Sequence, residues 1–174
     1  DGKEIAIKVK HPDIINDLEN QLDLIKVIKF LQSFTYIRQK FNLVFNLDDF
    51  LNSITEQCDF NVEANNCKRF RDNFKESSEQ IVFPEILFQS DDLLISEYIE
   101  GKPVDDLTDI QKHQITINFV CFFYQMLLVD NFLHGDLHCK NWKVRYNEET
   151  KNAQMIVYDC GICFKNIYTD LTHK

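Results

Sequence analysis

The sequence predicts an α+β fold of two lobes, and three features predict it. Short apolar runs of strand length stand near both ends of the 174-residue chain. Long stretches with apolar residues three or four apart lie between them. Gly101 and Pro103 then break the pattern after a strand, as a hinge between lobes would. The expected boundary falls there, between residues 1–99 with their long helices and residues 100–174. With 44% hydrophobic residues, a chain of this length can bury a sizeable core.

Taken in order, Ile5-Ala6-Ile7-Lys8-Val9 is an apolar run broken by one lysine, which predicts a strand carrying a single cation. Lys8 is either an edge-strand lysine facing water or an inward cation with a partner. From Ile14 to Phe34, the residues Ile14, Leu18, Leu22, Ile25, Ile28 and Leu31 predict an amphipathic helix. Asp48 to Phe74 is a second, with Asp48 as N-cap and Phe50, Leu51, Ile54, Cys58, Val62 and Phe70 on its apolar stripe. Asp59 and Glu63, four apart, share one face of that helix and repel each other if both are ionised. They call for a lysine or a metal nearby, or else mark a solvated acidic face.

Ile81-Val82-Phe83 and Leu93 to Ile99 follow as two strands, the first stopped by Pro84 and the two joined by a turn at Asp91-Asp92. Ile110 to Val129 is a third long helix, almost wholly apolar but interrupted by Thr116, Asn118 and Gln125, and short of a bilayer span. It is expected to be a buried core helix delivering the loop behind it. Trp142 to Tyr146 and Met155 to Tyr158 then form a hairpin around the polar turn Asn147 to Ala153.

That loop, His134-Gly135-Asp136-Leu137-His138-Cys139-Lys140-Asn141, together with Asp159-Cys160-Gly161, has the layout of a phosphoryl-transfer site. Asp136 and Asn141 are five apart, so one curled loop can turn both side chains into one cavity. A carboxylate can then sit near an incoming hydroxyl, while an amide oxygen and the Asp159 carboxylate hold the Mg2+ that neutralises the phosphates of ATP. Taken alone, Asp136 and Asn141 are equally turn residues.

Five ordered blocks resemble the UbiB family of atypical kinases, the kinase-like proteins associated with ubiquinone biosynthesis. They are Ala6 to Pro12, Cys58 to Asn65, Ile95 to Gly101, His134 to Asn141 and Asp159 to Gly161. The long separation of Lys8 from Glu63 is similar too, since ordinary protein kinases place the paired glutamate much closer. The resemblance implies a protein-kinase-like two-lobed fold in which Lys8 contacts the phosphates and pairs with Glu63. Asp136 would take the catalytic-loop position, Asn141 and Asp159 would be magnesium ligands, and the backbone of Glu97, Tyr98 and Ile99 would meet adenine. It further implies an ATP-binding kinase or ATPase, with ATP and Mg2+ as cofactors, linked to ubiquinone or lipid metabolism. Lipid or quinone-biosynthesis proteins are the implied partners, membrane association is allowed in a longer protein, and the implied location is intracellular, mitochondrial or plastid.

The chain departs from that pattern in three places. Gln57-Cys58-Asp59 stands where the family has Glu-x-Asp, and Glu56 is a poor substitute because one residue turns a helix by about 100°. Cys139-Lys140 replaces the usual Pro-Gly, adding a cation to the loop. The chain opens with Asp1-Gly2 directly before the lysine strand and ends 13 residues beyond Gly161. The expectation is therefore a domain truncated at both ends, without the family's N-terminal Lys-x-Gly-Gln element or its later large-lobe helices.

A net charge of −9 argues against electrostatic binding of nucleic acid, which needs a basic surface. The cysteines show no paired metal spacing; Cys160-Gly161-Ile162-Cys163 has a C-x-x-C form but overlaps the metal motif, favouring reduced, unpaired thiols over a zinc or redox site. His134 and His138 are expected to buttress the loop through hydrogen bonds. No targeting segment or transmembrane span is visible in the sequence. Besides the kinase or ATPase reading, a small-molecule phosphotransferase and a non-catalytic nucleotide-binding scaffold stay open.

Overall fold

The computed structural model describes Gly2, residues 4–11 and residues 59–165. In chain order these form β1 (Ile5–Val9), α1 (Phe60–Asn73), β2 (Ile81–Val82), β3 (Ile86–Gln89), β4 (Leu93–Glu97), α2 (Asp109–Tyr124), β5 (Phe132–His134), β6 (Trp142–Asn147), β7 (Asn152–Val157) and β8 (Cys163–Lys165). The helix expected over Ile14 to Phe34, the Asp48 cap and Gln57 lie outside the described residues.

The lysine strand β1 pairs antiparallel with β4, which pairs antiparallel with β3. Lys8 stands opposite Leu94 and Ala6 opposite Ser96. Because side chains alternate along a strand, Ala6 and Lys8 share one face while Ile5, Ile7 and Val9 occupy the other, where they are exposed. Helix α1 packs against β3 and β4.

The start of α1 corrects the expected helix from Asp48 to Phe74. Asp59 is extended, with φ −100° and ψ 105°, and its Oδ1 accepts a hydrogen bond from the Asn61 N–H at 2.8 Å, so it is the N-cap of a helix that begins at Phe60. A short carboxylate offers the first-turn N–H groups a partner that helical backbone leaves them without. Asp59 and Glu63 therefore do not share a helical face.

The strand reading needs two corrections. Ile81–Val82 does not pair with the strand from Leu93; it runs parallel to β7, with Ile81 opposite Met155 and Val82 opposite Ile156. The strand that turns at Asp91-Asp92 is β3, whose register slips between Ile86 and Phe88 and so hides its alternation in the sequence. The hairpin of β6 and β7 holds, with Trp142 opposite Val157 and Asn147 opposite Asn152. β5 and β8 add a further antiparallel pair, His134 opposite Cys163.

Helix α2 starts at a capping box: Thr108 Oγ1 accepts from the Gln111 N–H, and the Gln111 side chain accepts from the Thr108 N–H. It continues into a π-helical turn, Gln125–Val129. The expected burial of this helix is corrected as well. Ile115, Phe122 and Met126 are in the core, whereas Ile110, Ile117, Val120, Phe123 and Leu128 are exposed. Being apolar on nearly every side, the helix covers β7 with one face and leaves others outside the described core.

Phe70 on α1 is fully buried at the centre of that core. Its ring stacks on Phe83 at 4.9 Å and lies 4.6 Å from Phe132, 6.4 Å from Phe122 and 6.5 Å from Phe74. Gln125 Nε2 also donates to the Asn73 carbonyl at 2.8 Å. Helix α1 is thus anchored in the same aromatic cluster as α2 and β5, and this anchoring fixes where its Glu63 points.

Candidate active site

Lys8, on the α1-facing side of its strand, meets Glu63 across the sheet. Lys8 Nζ is 2.7 Å from Glu63 Oε1 and 3.2 Å from Asp159 Oδ1. One ammonium thus spans two carboxylates from α1 and from the end of β7. Glu63 is buried, while Lys8 and Asp159 remain about two-fifths exposed, with side-chain values of 43% and 44%. Burial works against the Lys8 ammonium, but the charge and hydrogen bond of Glu63, then those of Asp159, outweigh it and its pKa ends above the usual value. For Glu63 burial dominates: it raises the carboxyl pKa more than Lys8 lowers it, and repulsion from Asp159 adds to the rise.

Asp159 has φ 54°, a left-handed backbone that non-glycine residues adopt at strained, often functional positions. The turn behind it is held by Asn66, whose Nδ2 donates to the Cys160 carbonyl at 3.0 Å, and by the Cys163 thiol on the same carbonyl at 3.2 Å. A Cβ at Gly161 would stand 3.3 Å from Asp159 Oδ1, so the missing side chain leaves the carboxylate its room. Cys160 is buried, and its hydrogen bond with Cys67 followed by burial pushes its thiol well above the ordinary range.

The catalytic-type loop is tied together internally. Asn141 Nδ2 donates to the Asp136 carbonyl at 2.8 Å and to its Oδ2 at 3.2 Å. With its nitrogen so engaged, the amide oxygen of Asn141 is the atom it can offer a cation. His138 Nδ1 accepts from the Lys140 N–H at 3.1 Å, which turns Nε2 toward Asp136 Oδ2 at 3.6 Å. His134 accepts the Asp136 N–H on Nδ1 at 3.3 Å and faces the Tyr158 carbonyl with Nε2 at 3.2 Å. Those partners define the Nε2–H tautomer, and burial holds the ring's pKa below its usual value. Both histidines buttress the loop.

Glu97, Tyr98 and Ile99 close β4 and enter the hinge. Their backbone is partly committed: the Tyr98 N–H donates to the Glu4 carbonyl at 3.1 Å, and the Ile99 carbonyl accepts the Tyr158 hydroxyl at 2.7 Å. A cavity of about 120 Å3 lies beside the triad, walled by Ala6, Pro84, Ile86, Leu94, Ser96 and Tyr158 with Lys8, Glu63 and Asp159 at its polar end. None of Glu97, Tyr98, Ile99, Asp136 or Asn141 lines it. The structure therefore joins Lys8, Glu63 and Asp159 in one contact set and Asp136 with Asn141 in another.

Two residues escape a motif reading. Tyr158 links Ile99, Asn141 and His134, and its one sequence signal is its place just before Asp159. Asn66 lies three residues after Glu63 and so on the same helical face, facing Asp159-Cys160-Gly161. The donor set suits Mg2+ held by one carboxylate, one amide oxygen and substrate phosphates, since this hard cation is seldom enclosed by protein ligands alone. Among the described residues no cluster of three or more His, Cys, Asp or Glu side chains could hold a metal by itself.

Comparison with known proteins gives the family and the fold. The profile of the ABC1 atypical kinase-like domain matches residues 1–170. The chain belongs to the ABC1 atypical kinase-like family. Among ABC1 and UbiB relatives it is 30% identical over 156 residues to the "Probable serine/threonine-protein kinase abkC" of Dictyostelium discoideum, covering 86% of this chain and 22% of that protein. It is 28% identical over 169 residues to the "Probable protein kinase UbiB" of Aliivibrio fischeri strain MJ11, covering 92% and 31%. This ABC1 domain thus spans between about a fifth and a third of the length of those relatives. The solved complex of Rv3197 with erythromycin from Mycobacterium tuberculosis shares the fold, with a TM-score of 0.59 at 19% identity over 94% of this chain and 41% of its own. The expected UbiB resemblance and the α+β protein-kinase-like fold both hold.

Proposed function

We propose that the chain carries a MgATP site for phosphoryl transfer or ATP hydrolysis, divided between a partial small lobe, residues 1–99, and a partial large lobe, residues 100–174. The observation that carries this reading is the contact of Lys8 Nζ with both Glu63 and Asp159 at 2.7 and 3.2 Å. Glu63 holds the ammonium where it meets the α- and β-phosphates. Asp159 and the amide oxygen of Asn141 are the magnesium ligands, and the ion would supply charge neutralisation at the phosphates. Asp136, fixed by Asn141 and flanked by His138, offers a carboxylate to the hydroxyl or water that attacks. The segment Glu97 to Ile99 receives the adenine edge. Within a longer protein this chemistry would serve ubiquinone or lipid metabolism, with lipid or quinone-biosynthesis proteins as partners.

The test is turnover of MgATP measured with no acceptor, with lipid vesicles and with an aminoglycoside. Hydrolysis or lipid-dependent turnover, abolished by Asp136→Ala, is the expected result. Turnover that needs the aminoglycoside would instead make the protein a small-molecule phosphotransferase. Binding without turnover in any arm would make it a nucleotide-binding scaffold.

A further inference from the structure

Tyr158 is engaged at three points, each on a different part of the site. Its N–H donates to the Asn141 carbonyl at 2.8 Å, its carbonyl faces His134 Nε2 at 3.2 Å, and its hydroxyl donates to the Ile99 carbonyl at 2.7 Å. The chain neighbour on one side is the metal-motif carboxylate Asp159. The side chain therefore spans from the polar end of the cavity to the hinge. It is half-buried and lines the cavity with Ala6 and Ser96, whose strands stand opposite. Among the residues walling this cavity, Tyr158 alone is aromatic.

From this placement we infer that Tyr158 is a specificity-determining residue, its ring forming the floor on which a planar nucleobase stacks while its hydroxyl locks that ring to the hinge. This rests on the nucleotide reading given above and deepens it by naming what selects for a base. A flat π-face held through its hydroxyl, on a backbone tied at both N–H and carbonyl, stacks a base without having to be ordered on binding. On this reading Lys8 takes the phosphates and the ring takes the base.

That division of labour makes the assignment testable with two ligands, MgATP and magnesium tripolyphosphate, titrated into the chain by calorimetry. Tyr158→Leu is expected to weaken MgATP by about tenfold, the scale of a lost base–aromatic stack, and to leave tripolyphosphate affinity unchanged. Tyr158→Phe keeps the ring and loses only the hydroxyl, so it should lie within a few-fold of wild type, about the weight of one hydrogen bond. In the unmutated chain with 13C-labelled tyrosine rings, MgATP should shift the Tyr158 ring resonances and tripolyphosphate should not. That measurement decides the matter if the leucine variant does not fold. Equal weakening of both ligands in Tyr158→Leu, or unshifted ring resonances on MgATP binding, overturns the floor assignment while leaving the nucleotide site intact. If the unmutated chain binds neither ligand, the nucleotide reading falls and the Tyr158 assignment with it.

Discussion

Lys8 and Asp159 form an ion pair at 3.2 Å that reaches from the sheet of β1, β4 and β3 to the turn after β7. The same ammonium contacts Glu63 at 2.7 Å, so one cation and two anions form a compact group. A cation brought to this group would meet two carboxylates against one ammonium.

Asp159→Asn should therefore weaken MgATP binding by at least about tenfold, because a carboxylate facing the metal becomes a neutral amide. Asn141→Ala should cost less, since it removes a neutral ligand. Titrations with and without magnesium check this, and the loss should appear only in the presence of the ion. Equal affinity of wild type and Asp159→Asn for MgATP would end the metal-ligand assignment.

Lys8 and Glu63 act as one unit, so Lys8→Ala and Glu63→Ala should each impair nucleotide use and the double variant should be little worse than either. A coupling of about 0.5 to 3 kcal/mol is the range for contacting residues, and the exposure of Lys8 places this pair toward its lower end. Strict additivity in a double-mutant cycle of nucleotide affinity would return Lys8 to the role of a solvent-facing edge lysine.

His134 predicts a pH dependence of stability. Burial depresses its folded pKa below the usual 6.5, so the unfolded chain takes up the proton first as pH falls. The stabilisation is present above pH 6.5 and is lost as pH falls from there through the lower folded value. The groups facing the ring are the Asp136 N–H, the Tyr158 carbonyl, the Asp136 and Asp159 charges and the Phe70 ring. Denaturant unfolding at a series of pH values below 6.5 should show a falling midpoint that flattens in His134→Gln. An unchanged slope would place the acid sensitivity elsewhere.

Phe70→Ala should destabilise the fold by about 3 to 5 kcal/mol, the range for emptying a fully buried aromatic site. Because the same ring anchors α1, nucleotide affinity should fall further than in a core variant remote from that helix, such as Val144→Ala. Denaturant midpoints and calorimetric titrations measure the two effects. A stability loss under about 1 kcal/mol would mean that neighbouring rings refill the site and do not depend on Phe70.

The loop contact, the hairpin and the lysine strand were legible in the sequence because each rests on a short-range pattern. Asp136 and Asn141 meet through a five-residue loop, the β6–β7 hairpin follows from two apolar runs about a polar turn, and the lysine strand is one apolar run around Lys8. Less was legible where a local signal had two uses. Asp59 scores equally as a helical acidic residue and as a cap, and its extended backbone shows that the cap won. The bulge between Ile86 and Phe88 erased the alternation that would have revealed β3.

By itself, the sequence determined the family and the order of its motifs. Only the tertiary structure decided which of them meet. Lys8, Glu63 and Asp159 come together because β1 pairs with β4, α1 packs over β3 and β4, and Phe70 pins α1 to the large-lobe core. The two-residue strand β2 joins β7, and the Tyr158 hydroxyl reaches Ile99, through contacts between segments far apart in the chain. Such pairings are settled by which apolar surfaces bury together and which polar groups still need partners once they have, and no window of neighbouring residues contains that information.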